Sequence, residues 1–561
     1  MIDSDGRETP TFEYTGGTRM SPTGRLSRPH FSRGRHNYGK AAGIAVAALV
    51  TATSLPAMSA QAQAQPQPDC APWDRECRVN QHLDEIRSQP EQLAEFARAM
   101  PKGGDLHNHL SGAVSTESLI RYAAEDGRCI DTETLAASNA PCTTGQRPAS
   151  DAVNDQEFRR EVIEAWSMEG FEPGGAESGH DHFFATFGKF GAATEGRDGD
   201  MLAEVADDLA EQNQFYLETL LSKQSAELGE LADRVGFTPK TTDDFQRLRN
   251  TLLSRGLDDV ERAARADTER DFARYRDLLN CGTRTALAGC DVEVRLDYQV
   301  SRARPPANVF AQLLLGFELA QSDPHFVGLN MVQPEDAEIS LRDYTLHMRM
   351  IEYLSAHYPE VSVTLHAGEL VPGLVKPEDL SFHINQAVNI AGADRIGHGI
   401  DLRHEDNWRA LAARMAERDI AVEAPLTSNC QILRVCGPKE HPLPTYLEHD
   451  VPVALSTDDP GVSRSDITAE YRRAAADFGL SYSQLKDSAR TSLEHGFLPG
   501  ESLWADADSH RMRSECTVAA PGRGNLTASC AELLRTSPKA ELQWRQEKAF
   551  HAFEARYAAR A

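Results

Sequence analysis

The chain has 561 residues, 40% of them hydrophobic and 25% charged, which bounds it to a soluble globular protein of several domains or one large barrel with insertions. Its formal net charge of -27 excludes the basic surface that nucleic-acid phosphates require. Such acidity fits a well-solvated surface.

The N-terminus has the pattern of a targeting segment. Arg25, Arg28, Arg33, Arg35 and Lys40 precede an apolar, Ala-rich run from Ala41 to Leu55, and Ala62-Gln63-Ala64 offers a cleavage site. The run is short for a spanning helix, although an uncleaved anchor is the alternative. Residues 1–64 are therefore expected to be a secretory signal, with Met20 a candidate start that gives a shorter basic region. The expected location is exported, periplasmic or extracellular. The ten cysteines fall in sequence-adjacent couples, 70/77, 129/142, 281/290, 430/436 and 516/530. In an exported chain an even, coupled set reads as a disulfide framework.

Residues 65–100 are expected to form a linker and a helix over 79–100, where Leu83, Ile86, Leu93, Phe96 and Ala97 fall near helical spacing. A short run then ends in His107-Asn108-His109. Side chains two apart on a strand face the same way, so these histidines can share one metal ion. Residues 125–200, rich in Gly, Ser, Thr and Asp, read as an irregular insertion with a helical part near 156–168. Apolar, β-branched runs follow at 214–221, 291–300, 325–332, 361–366, 394–398, 420–425 and 451–457. Helical periodicity separates them, at 199–212, 244–279, 306–322, 341–357, 376–391, 405–418 and 467–479. Eight alternating units predict an α/β fold, a (β/α)8 TIM barrel, over 101–510. A doubly wound open sheet is the alternative, but no strand is followed by GxGxxG. Residues 511–561 are expected to be a helical C-terminal extension.

Catalytic groups of such barrels sit at the C-terminal ends of the strands. There the sequence places His107 and His109, then HAGE at 366–369, GHG at 397–399 and STDDP at 456–460. One such polar group alone is ordinary loop chemistry. Four at matching positions, after apolar strand bodies, form a nitrogen-and-oxygen donor set suited to Zn²⁺.

These motifs, with MPKGGDLHNHLSG at 100–112, RIGHG at 395–399 and SLEHGFLPGESL at 492–503, resemble the adenosine deaminase family, and most closely its secreted adenosine deaminase-related growth factors. The resemblance spans about residues 95–505. It implies one Zn²⁺ per chain held by His107, His109, His366 and Asp458. It implies Glu369 as the acid that protonates purine N1, and His398 as the group that orients and deprotonates the attacking water. Asp459 is implied to contact the purine, and Gly328 to meet purine N3 through its backbone. The implied reaction is hydrolytic deamination of adenosine and 2'-deoxyadenosine to inosines plus ammonia, by zinc-activated hydroxide attack at C6. The implied partner is a small purine nucleoside, with no nucleic acid and no stable membrane association after signal cleavage; a homodimer stays open. Deamination of another aminopurine, or a secreted nucleoside-binding or signalling role, is the alternative. Two departures bear on the substrate. Ser111 stands where the family commonly has Asp at the ribose, and Asn330 where many members have Asp. Trp166, with Glu164, is a candidate substrate contact in the insertion. Phe183, Phe184 and Phe187 read as ordinary core, and His180 and His182 as loop polar groups or pocket lining.

Overall fold

The computed structural model describes residues 70–560 apart from Pro72, Ala176 and 518–525. The expected signal segment lies outside the described residues.

Eight strands form one parallel sheet in chain order: β1 (Gly104–Asp105), β2 (Tyr216–Leu221), β3 (Glu293–Ser301), β4 (Phe326–Val332), β5 (Ser362–Ala367), β6 (Arg395–His398), β7 (Ala421–Ala424) and β8 (Val453–Leu455). Every apolar run expected to be a strand is one. The first and last strands meet just past their ends, where Asn108 bridges Asp458 in parallel. There the His109 N–H donates to the Asp458 carbonyl and the Asp458 N–H to the His107 carbonyl. The sheet thus closes on itself as a (β/α)8 barrel. Its helices bury apolar faces against it. Pro306–Ser322 is the most apolar, and Phe310, Leu313, Leu314 and Phe317 are fully buried. Each such burial contributes about 1.5–3 kcal/mol.

Two expected helices are each broken in two. The 79–100 segment is Arg75–Ile86 and Pro90–Ala99, because Pro90 starts a new helix rather than continuing the old one. The 244–279 segment is Thr242–Ser254 and Leu257–Leu278. Gly256 at φ +109° takes the left-handed turn between them. Residues 125–200 are more regular than their composition suggests. A three-stranded antiparallel sheet (Cys129–Asp131, Ala137–Ser138, Gln146–Pro148) precedes the helices Ala149–Asn154, Gln156–Trp166 and Gly179–Thr194. The last of these is called α1 below.

All ten cysteines pair as the spacing suggested, in disulfides 70–77, 129–142, 281–290, 430–436 and 516–530. Among the described residues no helix is long and apolar enough to cross a membrane. The C-terminal helix Pro538–Tyr557 packs on Arg75–Ile86, and its Phe553 is in ring contact with Phe96, Tyr482 and Tyr557.

Candidate active site

The strand ends bring four donors together. His107, His109, His366 and Asp458 each offer one ligand atom, all within 4.8 Å of one another. The His107 and His366 Nε2 atoms are 3.0 Å apart, and those of His109 and His366 3.2 Å. Asp458 Oδ1 lies 3.2 Å from His109 Nε2 and 3.5 Å from His107 Nε2.

Whether a cation fits here follows from where the ring protons are. His107 Nδ1 faces Glu423 Oε2 at 2.7 Å, and a carboxylate only accepts. Asn330 Oδ1 takes the His366 backbone N–H at 2.9 Å and so must also accept from His366 Nδ1 at 3.0 Å. His109 Nδ1 faces Gln299 Oε1 at 3.0 Å. With the His107 and His366 protons on Nδ1, their bare Nε2 lone pairs converge with the His109 ring nitrogen and a carboxylate oxygen. Such a cluster repels itself unless a cation sits among them, so the residues fit a metal ion. Ring nitrogens tied to acceptors in this way are typical of metal-bound histidines. Asn330 therefore orients His366 through a neutral acceptor.

The electrostatics follow the same geometry. Burial, with the Asp458 charge beside it, pushes Asp459 far up. Burial, then Asp458 and Glu335, raises Glu369 to about 8, so it keeps a proton at neutral pH. Behind His107, burial works against the Glu423 charge, yet Arg395 and His107 hold that carboxylate at about 2. Arg395 Nε meets Glu423 at 2.5 Å, and its Nη2 meets Glu218 at 2.5 Å.

The turn after β5 is gripped from beneath. Arg302 Nη2 donates to the His366 carbonyl at 2.9 Å. Glu335 accepts the Gly368 and Glu369 N–H groups at 3.1 and 2.8 Å. Gly368 is at φ +76°, where a Cβ would also overlap the Asp401 carboxylate. His398 (φ +63°), Asp458 (φ +66°) and Gln333 (φ +81°) hold the left-handed region without being glycine, a strain that packed surroundings must enforce. Opposite, a Cβ on Gly112 would overlap Asp459, so only glycine lets that carboxylate lie against the first loop.

A cavity of about 320 Å³ opens over these groups. Glu369, His398, Asp458, Asp459, His109 and His366 form one side. Phe183, Phe184 and Phe187 of α1, with Ile432 of α2 (Leu426–Leu433), form an apolar side, and Ser111, Gln299, Ser301 and Gln333 add neutral polar groups. The three phenylalanines, read from sequence as core, are thus cavity walls as well. Among the described residues that line it there is no Lys or Arg.

Three expected contacts fall elsewhere. Gly328 is absent from the lining; it lies against Asp297 and the Phe497 ring, two residues before Asn330 on β4. Trp166 is fully buried, its indole N–H donating to the Leu135 carbonyl. Glu164 pairs with Arg160. His180 sits on the first turn of α1, 3.0 Å from Asp336. The sequence reading missed Glu423, Glu335, Gln299, Gln333 and Ile432. Glu423 left a signal, a lone charge inside the apolar run IAVEAP.

The adenosine deaminase family model matches residues 259–505. That segment of the chain is similar to the adenosine deaminases. Among curated members, adenosine deaminases of Escherichia coli O1:K1 / APEC and O139:H28 (strain E24377A / ETEC) are 42% identical over 139 residues. That match covers 25% of this chain and spans 38% of the length of those relatives. Two solved structures are similar in fold. Adenine deaminase from Arthrobacter aurescens has a TM-score of 0.46 at 15% identity, covering 71% of this chain and 94% of that one. The Arabidopsis N6-mAMP deaminase has a TM-score of 0.48 at 20% identity, covering 72% and 96%.

Proposed function

We propose that this chain is a member of the adenosine deaminase family, an exported, zinc-dependent deaminase that converts adenosine and 2'-deoxyadenosine to inosines with release of ammonia. The observation that carries the reading is a buried carboxyl, Glu369, lining the same cavity as a four-residue metal donor set. A pure binder of nucleosides has no use for that combination. His107, His109, His366 and Asp458 are the proposed metal holders, with one ion per chain. When bound, a divalent ion of this class supplies Lewis acidity that makes water nucleophilic near neutral pH.

The chain's own residues do the rest. Glu369 gives its proton to N1 of the purine, which makes C6 electrophilic. His398 offers the cavity an Nε2 with no protein partner and steers the attacking water. Asp459 Oδ1 is buried and unpartnered, so it is free to bind the purine edge. The α1 phenylalanines pack against the base, and Ser111, Gln299 and Gln333 supply neutral hydrogen bonds to the sugar end. At the end of β4 the cavity is lined by Val332, Gln333 and Pro334. The lack of a lining Lys or Arg favours nucleosides over nucleotides, because a phosphate needs a cationic clamp.

Export is supported by five disulfides, which persist in oxidising compartments. The proposed organisation keeps the signal at 1–64, the linker and helices at 65–100, the barrel at 101–510 and the extension at 511–561. The test is ammonia release from adenosine, 2'-deoxyadenosine, adenine and N6-methyl-AMP, using purified zinc-loaded protein. Turnover of the nucleosides is expected to be fastest. Turnover only of adenine or the nucleotide would replace the substrate. Inactivity on all four, with metal bound, would favour a secreted binding protein.

A further inference from the structure

His398 is held from behind by a short chain of side chains that no strand-end motif contains. Its Nδ1 lies 2.9 Å from the Asn429 side-chain amide on α2. The other end of that amide lies 3.1 Å from His441 Nε2. His441 Nδ1 lies 3.0 Å from the Leu443 backbone nitrogen. His398, Asn429 and His441 are all at most 1% exposed, so no solvent substitutes for a missing partner. The Cys430–Cys436 disulfide ties α2 to the loop that leads to His441.

The protons in this chain can be counted from one end. A backbone N–H only donates, so His441 Nδ1 must be the acceptor for Leu443. A neutral imidazole has one acceptor nitrogen and one N–H, which puts the His441 proton on Nε2. A second proton on the ring would face the Leu443 N–H head on, and burial holds His441 neutral, down at about 3. His441 Nε2–H must then meet the amide oxygen of Asn429. The placement with Oδ1 toward His398 and Nδ2 toward His441 gives His441 two acceptor nitrogens and cannot balance. Turning the amide by 180° keeps both separations and satisfies every group, since its two ends have the same shape. The Asn429 NH₂ then donates to His398 Nδ1. His398 Nδ1 becomes an acceptor, and its one proton sits on Nε2, the atom with no protein partner.

We infer that Asn429 and His441 are positioning residues that fix His398 as the Nε2–H tautomer, making it a hydrogen-bond donor toward the cavity. The backbone N–H of Leu443 sets this choice. His398 at rest therefore holds the oxygen of the incoming water by donation and does not begin as the acceptor of its proton. Only this catalytic consequence rests on the deaminase reading; the tautomer is observable without turnover.

The test is the long-range ¹H–¹⁵N spectrum of full-length protein labelled with ¹⁵N-histidine, with His398→Gln and His441→Gln used for assignment. Both rings are expected to show an Nε2–H and a bare Nδ1. An Nδ1–H on His398 in the wild-type protein would overturn the inference. Asn429→Asp replaces the amide by a group that only accepts, which should switch His398 to Nδ1–H and lower kcat about 10²-fold with KM little changed. A switched tautomer with full kcat would sink the donor role while leaving the relay intact. Should a variant not fold, neutron diffraction from wild-type crystals reads the same two protons directly. Loss of all deamination with the expected wild-type tautomers would count against the deaminase reading and not against the relay.

Discussion

The two sides of the cavity are built by different means. On the metal side, each histidine comes from a strand end and has a second partner behind it: Glu423 for His107, Asn330 for His366, Gln299 for His109, Asn429 for His398. On the opposite side, α1 belongs to an insertion between β1 and β2, and its phenylalanines meet the cavity through van der Waals contact alone. The first side is fixed in angle as well as position, which bond-making needs. The second is fixed only in shape, so it can change its substrate without disturbing the chemistry.

The sharpest break of this contrast is on the metal side. His366→Ala should leave almost no metal in the purified protein and no turnover, measured by plasma emission and ammonia release; a full metal complement would refute the donor set. Glu369→Gln should keep the metal and lower kcat by about 10²–10⁴-fold, since it removes a proton and no ligand. On the aromatic side, Phe184→Ala should raise KM about tenfold and change kcat little, as expected for one lost base-stacking contact. A kcat-dominated loss would mean that this wall positions the reacting atoms too. A pH series separates the sides again. Glu369 acts when protonated, and its value is raised to about 8, so kcat is expected to fall as pH rises through that value. Glu369→Gln should lose this alkaline limb. The smallest effect belongs to Ser111→Asp, which should alter kcat/KM for adenosine a few-fold and leave adenine unaffected. An equal change on both substrates would remove Ser111 from the sugar end.

The same contrast explains what the sequence revealed. Strands and metal donors were legible because alternation marks β/α units and polar clusters interrupt apolar runs at their ends. His107, His109, His366 and Asp458 come together, and Glu369, His398 and Asp459 line the cavity beside them. The cavity's other wall was not legible, because a phenylalanine on an amphipathic helix looks the same whether it faces core or ligand. Trp166 was misplaced for this reason. Gly328 was misplaced for another. The cavity-side turn of β4 carries Gln333 at φ +81°, a conformation that normally advertises itself as glycine. The second partners were hidden because a pairing such as His107 with Glu423, 316 positions apart, leaves no local trace.

The seam between β1 and β8 has a kinetic meaning. His107 and Asp458 are donors to the same proposed ion, yet one precedes and the other follows nearly the entire barrel. Their approach must overcome the closure entropy of the largest loop in the fold. A chain that has folded only through β7 holds three histidines but lacks the carboxylate and has an open edge. The last strand thus completes the metal site and removes that edge in one event. Uptake of metal during refolding should therefore report the final step of barrel assembly.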